Sequence, residues 1–265
     1  MDPIVFDSDL GAGWDVAHAA VRESGVEIVG FRDRAREGMD ARIVPGPMVA
    51  VVLDFGAHGV EVVRGSGSQA TGGVVSAMAP GAVRVRSRRV ECVEIRLSPV
   101  RAYSLFGTTV PGVVAADEVW GSSAQRLRER LAEATSWQRR FELAEAFVLS
   151  RCSFTADPEV AASWERIVAG RGQVRVAELT ELCGWSRKRL WSRFTAQIGL
   201  TPKRAAMLVR FDRAVQALTS GAAIADVAVR CGYVDQSHLH RDTLSFAGCT
   251  PKALTSREHS SKTRA

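Results

Sequence analysis

The sequence lacks any apolar run of about 18 residues or more, so it offers no membrane-spanning helix. Its opening residues, MDPIVFDSDL, lack the basic stretch followed by an apolar one that marks a secretory leader, and none is expected. Cysteine is scarce and scattered: five residues, at 92, 152, 183, 231 and 249, odd in number and never spaced C-x-x-C. That pattern argues against a disulfide framework or zinc site and for a reducing, cytoplasmic setting. Histidine is nearly absent from the first half, where only His18 and His58 precede residue 238 and no His-x-His pair occurs. Metal catalysis on a small β domain needs closely spaced His and Glu on adjoining strands, and that supply is missing. Neither G-x-S-x-G nor G-x-x-x-x-G-K-[ST] is present. The expectation is a chain without catalytic residues, metal or cofactor.

Acidic charge is what the second half lacks. Residues 155–265 hold 17 Lys+Arg against 10 Asp+Glu, a formal +7, while the first 154 residues hold 18 against 19, a formal −1. A basic excess confined to one half favours a nucleic-acid partner for that half. A solvated basic surface would carry the same charge, so charge alone does not decide.

The two halves also differ in pattern. From Val44 to Ser98 short Val-rich segments (MVAVVLDFG, GVEVVRG, GGVVSAMA, AVRVRS, VECVEIRLS) are punctuated by Gly, Pro and Ser, as small twisted strands are. They suggest a small barrel or sandwich. Residues 1–42 give little beyond glycine punctuation, and RDRAREGMDAR reads as a polar connection. Ser98-Pro99 opens a helix with proline at its first position. Residues 122–134 and 137–151 read as an amphipathic pair, the second with Phe141, Ala144, Phe147 and Val148 on one face. Such a pair caps the β core or presents a dimer face. The linker spans 152–159, with Asp157-Pro158 as cap and first residue of the next helix.

The second half carries a repeat. Cys183-Gly184-Trp185 recurs as Cys231-Gly232-Tyr233 and Gly199-Leu200-Thr201-Pro202-Lys203 as Gly248-Cys249-Thr250-Pro251-Lys252, within 177–203 and 225–252. Each copy reads as a helix, a glycine turn and a second helix. In the first copy Leu190, Phe194 and Ile198, spaced by four, must face inward. That leaves Arg187, Lys188, Trp191 and Ser192 outward. In the second copy Leu239 and Phe246 face inward, with Gln236, Ser237, His240 and Arg241 outward. Between the copies, residues 202–218 form one helix of about 25 Å with Leu208, Phe211, Val215 and Leu218 on its seam. His238 and His240 lie about 200° apart on a helix and cannot share a metal.

These residues resemble the DNA-binding domain of AraC/XylS-type transcriptional regulators. The likeness rests on VAELTELCGWSRKRLWSRF, GLTPKRAAMLVRFDRAVQAL and, above all, IADVAVRCGYVDQSHLHRDTLSFAGCTP. It implies an α+β chain: a small cupin-like β-barrel and helical segment for sensing or dimerisation at 1–153, an all-α domain with two helix-turn-helix units joined by a long helix at 154–256, and a polar tail at 257–265. It implies that Lys188, Trp191 and Ser192 lie nearest the bases, with Arg187, Arg189 and Arg193 as phosphate contacts or solvated charges. The partners it implies are double-stranded DNA, RNA polymerase, a second copy of the chain and a small-molecule effector, with activation of transcription as the commoner outcome. An architectural or repressing DNA binder without effector sensing stays open, and a cupin-type enzyme is the remoter alternative. One position departs from the family. Thr243 stands where an aromatic residue is the rule, which implies a looser second unit unless Phe246 compensates.

Overall fold

The computed structural model describes residues 13–20, 24–64, 67–78 and 83–255. The chain divides into two compact units, one holding most of the described residues up to Phe154, the other Thr155 onward together with Val44–Pro47. Among the described residues no helix is long and apolar enough to cross a membrane.

The first unit is antiparallel throughout. Its strands are β1 (Trp14–His18), β2 (Val26–Asp33), β3 (Met39–Ile43), β4 (Val49–Asp54), β5 (Val60–Arg64), β6 (Gly67–Thr71), β7 (Gly73–Ser76), β8 (Val83–Ser87), β9 (Glu91–Leu97) and β10 (Val113–Ala115). They form a six-stranded sheet in the order β1-β2-β9-β4-β7-β10 and a four-stranded sheet in the order β3-β8-β5-β6. Among the described residues the two sheets do not close into the expected barrel; β6 (GSQAT) and the three-residue β10 each end a sheet.

Strand β9 organises the larger sheet. It pairs with β2 from Val26↔Leu97 to Arg32↔Glu91 and with β4 from Val49↔Leu97 to Asp54↔Cys92. From Cys92 to Leu97 every side chain is buried, including the charged Glu94 and Arg96, which pair with each other at 3.0 Å. Strand β8 alternates, with Val85 inside and Arg84 and Arg86 outside, both guanidiniums meeting Asp40 of β3 at 2.6 and 3.2 Å. The segment MDARI, expected to be connection, is this edge strand β3. Cys92 is buried, and desolvation pushes its thiol up in pKa, as befits an inert core group.

Helix α1 (Pro99–Phe106) begins at Ser98, whose hydroxyl accepts from the Arg101 amide, and ends at Gly107 with φ of 68°. The ambiguous segment GVVAADEVWG becomes β10 and the short α2 (Ala116–Trp120). Helices α3 (Ser122–Glu133) and α4 (Trp137–Leu149) follow. Phe141, Ala144, Phe147 and Val148 are all buried, and Trp137 lies directly over Gly30 of β2, where a Cβ would come within 2.3 Å of the ring. The helical pair caps the sheet, and Gly30 is the position that lets it approach.

The second unit is helical: α5 (Pro158–Ala169), α6 (Val176–Cys183), α7 (Arg187–Ile198), α8 (Pro202–Thr219), α9 (Ile224–Arg230), α10 (Gln236–Ala247) and α11 (Pro251–Thr255). Val160, Trp164 and Ile167 of α5 are buried as expected, but Val168 is exposed. Leu208, Phe211, Val215 and Leu218 of α8 are buried, and the helix is capped by the Thr201 hydroxyl accepting from the Arg204 amide. Ala214 and Leu218 pack with Val227, Ala228, Cys231, Tyr233 and Leu239 in one apolar cluster, which joins α8, α9 and α10.

Candidate nucleic-acid interface

Two helix pairs carry the candidate surface, α6 with α7 and α9 with α10. Each is joined by a glycine that takes positive φ, 64° at Gly184 and 76° at Gly232, a conformation costly for any residue with a Cβ. The Ser186 hydroxyl caps α7 by accepting from the Arg189 amide at 3.3 Å. The Asp235 carboxylate caps α10 by accepting from the His238 amide at 2.7 Å.

On α7 the inward face is closed. Leu190 and Phe194 are fully buried and Ile198 nearly so. The outward face carries Arg187, Lys188, Trp191 and Ser192, all exposed, and Trp191 leaves 55% of its surface bare. The arginines of this segment divide into two kinds. Arg189 lies over the Trp185 ring at 4.5 Å. Arg193, expected at phosphates or in solvent, instead grips Asp157 with two hydrogen bonds of 2.6 and 2.7 Å. These bonds hold the Asp157 carboxyl below its usual pKa. Asp157 therefore does not cap α5 with its side chain; its carboxylate is committed to α7. The Asp157 amide donates to Gln197 Oε1 at 2.8 Å, a second tie between the same two segments.

On α10, Gln236, Ser237, His240 and Arg241 are exposed, while Leu239 and Phe246 are buried. Arg241 Nε reaches back to the Ser237 carbonyl at 3.4 Å. Thr243 is fully buried and its hydroxyl donates to the Leu239 carbonyl at 2.8 Å, so its polar atom is satisfied within the helix. Three residues on, Phe246 is stacked on Phe211 of α8 with ring centroids 5.0 Å apart. Arg204 of α8 closes the same seam, its guanidinium 4.3 Å over the Phe246 ring and 3.0 Å from the Ser245 hydroxyl.

A more deeply buried ion pair, joining α8 to α10, is not evident from local sequence. Arg210 of α8 donates to Asp242 of α10 at 2.9 Å, with the two side chains 14% and 6% exposed. The same guanidinium lies 4.5 Å from the Tyr233 ring centroid and 3.4 Å from His238 Nε2. His238 in turn meets Tyr233 edge-on at 5.2 Å. One signal was available: Asp242 sits three residues after Leu239 and four before Phe246, on the inward stripe, where a carboxylate needs a cationic partner. Of the two histidines here, His238 is packed into this network and His240 is exposed. Among the described residues no three His, Cys, Asp or Glu side chains are gathered as a metal site.

The fold and surface of the second unit define a class. Residues 179–257 match a family described as a helix-turn-helix domain, and this part of the chain is such a domain. Its motifs are those of the AraC-type helix-turn-helix domain. An uncharacterized HTH-type transcriptional regulator of Bacillus subtilis, YbfI, is 38% identical over 66 residues, a stretch that takes in 25% of this chain and 24% of that protein. A probable AraC family transcriptional regulator from Rhodopseudomonas palustris is 26% identical over 37% of this chain and 95% of its own, with a TM-score of 0.35. ToxT from Vibrio cholerae is 10% identical over 91% of this chain and 97% of its own, with a TM-score of 0.48.

Proposed function

We propose that the chain regulates transcription by reading two adjacent major-groove segments, with α7 and α10 as the two recognition helices. The observation that supports this most is the front of α7. Arg187, Lys188, Trp191 and Ser192 are exposed together on a helix whose opposite face is sealed by Leu190 and Phe194. In this reading Lys188 donates to a guanine edge and Trp191 packs on a thymine methyl or the sugar-phosphate backbone. On α10, Gln236 pairs with adenine and Arg241 with guanine, while Ser237 and His240 flank them. Backbone amides at the starts of α7 and α8 hold phosphates. The 18 residues of α8 rise ~27 Å, against about 34 Å between successive major-groove faces. The two flanking helix pairs add the remaining reach.

The first unit, on the same reading, is a cupin-like module that senses a small molecule, pairs with a second copy, or both, and the outcome is activation through RNA polymerase. Footprinting on genomic fragments tests the DNA half. Lys188→Ala and Arg241→Ala each remove a base contact, and each is expected to weaken binding by ~1–3 kcal/mol, with relaxed selectivity at one base pair. Unchanged affinity and selectivity in both variants would show that α7 and α10 are not the readers.

A further inference from the structure

The first unit carries a groove that neither the DNA-reading surface nor the sheets account for. It lies between α3 and α4, has a volume of about 390 Å³, and is lined by Ser123, Arg126, Leu127, Arg130, Leu143, Ala146, Phe147, Ser150 and Arg151. The floor is apolar: Leu127, Leu143 and Phe147 are buried. The rim is cationic, with three guanidiniums and no carboxylate among the lining residues.

The groove gathers three arginines without a paired acid, a state found singly at Arg128 and Arg140, which each donate to a backbone carbonyl. Arg32, Arg34, Arg84 and Arg96 of the same unit each stand within 4 Å of a carboxylate. Arg126, by contrast, is held by two neutral groups, the hydroxyls of Ser122 at 2.8 Å and Ser123 at 3.0 Å. Arg151 donates to the Phe147 carbonyl at 3.2 Å and the Ser150 hydroxyl at 3.1 Å, with its guanidinium 3.7 Å from the Phe147 ring centroid. Arg130 is exposed and bridged to no acid among the described residues. Arginine keeps its proton at any ordinary pH, so the groove holds three uncompensated positive charges. Arg126 and Arg130 are also four apart on one helix, a like-charge spacing that costs stability. Two of the three forks are pre-positioned by neutral anchors above an apolar floor. That combination suits a ligand with an anionic head and a small apolar body, because guanidinium forks match the paired oxygens of phosphate and carboxylate.

We propose that the α3–α4 groove binds a small organic dianion, its acidic oxygens on Arg126, Arg130 and Arg151 and its apolar part over Leu127 and Phe147. The site is separate from the DNA-reading surface and does not depend on that assignment. Titration calorimetry of the full chain with phenyl phosphate tests it, with phthalate as the carboxylate counterpart and inorganic phosphate as the head alone. Saturable one-to-one binding is expected, tighter than that of inorganic phosphate by roughly tenfold, since only the ester covers the apolar floor. Arg130→Gln and Arg151→Gln are each expected to weaken it by about tenfold or more, since each removes a charge-assisted contact. Arg139→Gln, which removes an arginine of α4 already paired with Glu142 at 3.0 Å, should leave it unchanged. Phthalate binding in place of phenyl phosphate would assign the carboxylate source and keep the site. Three results would overturn the proposal: no saturable binding of either ester or diacid up to about 10 mM; binding that survives Arg130→Gln and Arg151→Gln; or loss of self-association, without loss of ligand, in those variants. The last would make the groove an interface between copies of the chain.

Discussion

Asp242→Ala isolates one contact whose size the structure sets. The Arg210–Asp242 pair is 2.9 Å long and its members are 14% and 6% exposed, so it lies away from bulk water. A surface pair would be worth at most about 1 kcal/mol. Removing one partner of a buried pair costs ~3–5 kcal/mol, because the remaining charge stays buried without compensation. The lower end applies here. Arg210 keeps some contact with water, the Tyr233 ring face at 4.5 Å and His238 at 3.4 Å, and these soften its isolation. About 3 kcal/mol corresponds to a factor of roughly 150 in the opening equilibrium of α10. Hydrogen exchange of the full chain, read on the amides of 239–247, should therefore speed up by about a hundredfold. The amides of β9 should not change. The double variant Arg210→Met with Asp242→Leu, which removes both charges and keeps apolar volume, should recover most of the protection. A change below about threefold in Asp242→Ala would mean that the pair is solvent-screened and that α10 is held by Leu239 and Phe246 alone. A second readout separates position from contact. Asp242 is not on the outward face, so its loss should weaken DNA binding without changing the salt dependence, which counts phosphate contacts.

Two further substitutions follow from buried groups elsewhere. Asp54 is fully buried, and desolvation pushes its carboxyl up to about 6, against the pull of the Glu91 amide, the Arg128 charge and the Gly56 amide. A carboxyl raised in the folded state stabilises it fully below pH ~4, and that contribution is lost as pH rises through about 6. Asp54→Asn is therefore expected to stabilise the first unit at pH 7.5 by up to about 3 kcal/mol and to do little at pH 4, measured as the shift in urea midpoint. An equal gain at both pH values would refute the ionisation argument. At Thr243 the structure predicts that restoring the missing aromatic does harm. The side chain is fully buried with its hydroxyl on the Leu239 carbonyl, and Thr243→Phe should destabilise the second unit by ~1–3 kcal/mol through overpacking. A stabilised variant would show that the second unit was underfilled after all.

The second unit was more legible in the sequence than the first, and the difference has a physical cause. Helices α7 and α8 announce themselves through spacing: Leu190, Phe194 and Ile198, or Leu208, Phe211, Val215 and Leu218, recur with the helical period because one face of each is buried. Their caps, Ser186 and Thr201, and their turn glycine, Gly184, are short-range features that act where they stand in the chain. Strands β2, β3 and β6 gave no comparable signal. β2 is flanked on both sides, buried from Ile28 to Phe31 with a glycine at 30, so it neither alternates nor runs unbroken. β3 and β6 are polar strands of the smaller sheet, made strands by their neighbours rather than by composition.

The same division runs through the recognition surface. Which residues face outward was readable, because it is the complement of the buried stripe; Arg187, Lys188, Trp191, Ser192, Gln236, Ser237, His240 and Arg241 are all exposed. What an outward arginine holds was not, because that depends on residues far away in sequence. The neighbours of Arg193 in the chain suggest a phosphate contact or a solvated charge, yet its partner Asp157 lies 36 residues earlier. Arg210 and Asp242 are 32 residues apart, and each looks ordinary until α8 and α10 are packed together. The two recognition helices therefore differ in a way that their matching letters concealed. α7 is tied to the segment before α5 by an exposed ion pair and a glutamine, whereas α10 is locked to α8 by a buried one. Of the two, α10 is the one whose ion pair is buried, and its response to Asp242→Ala is where that difference becomes measurable.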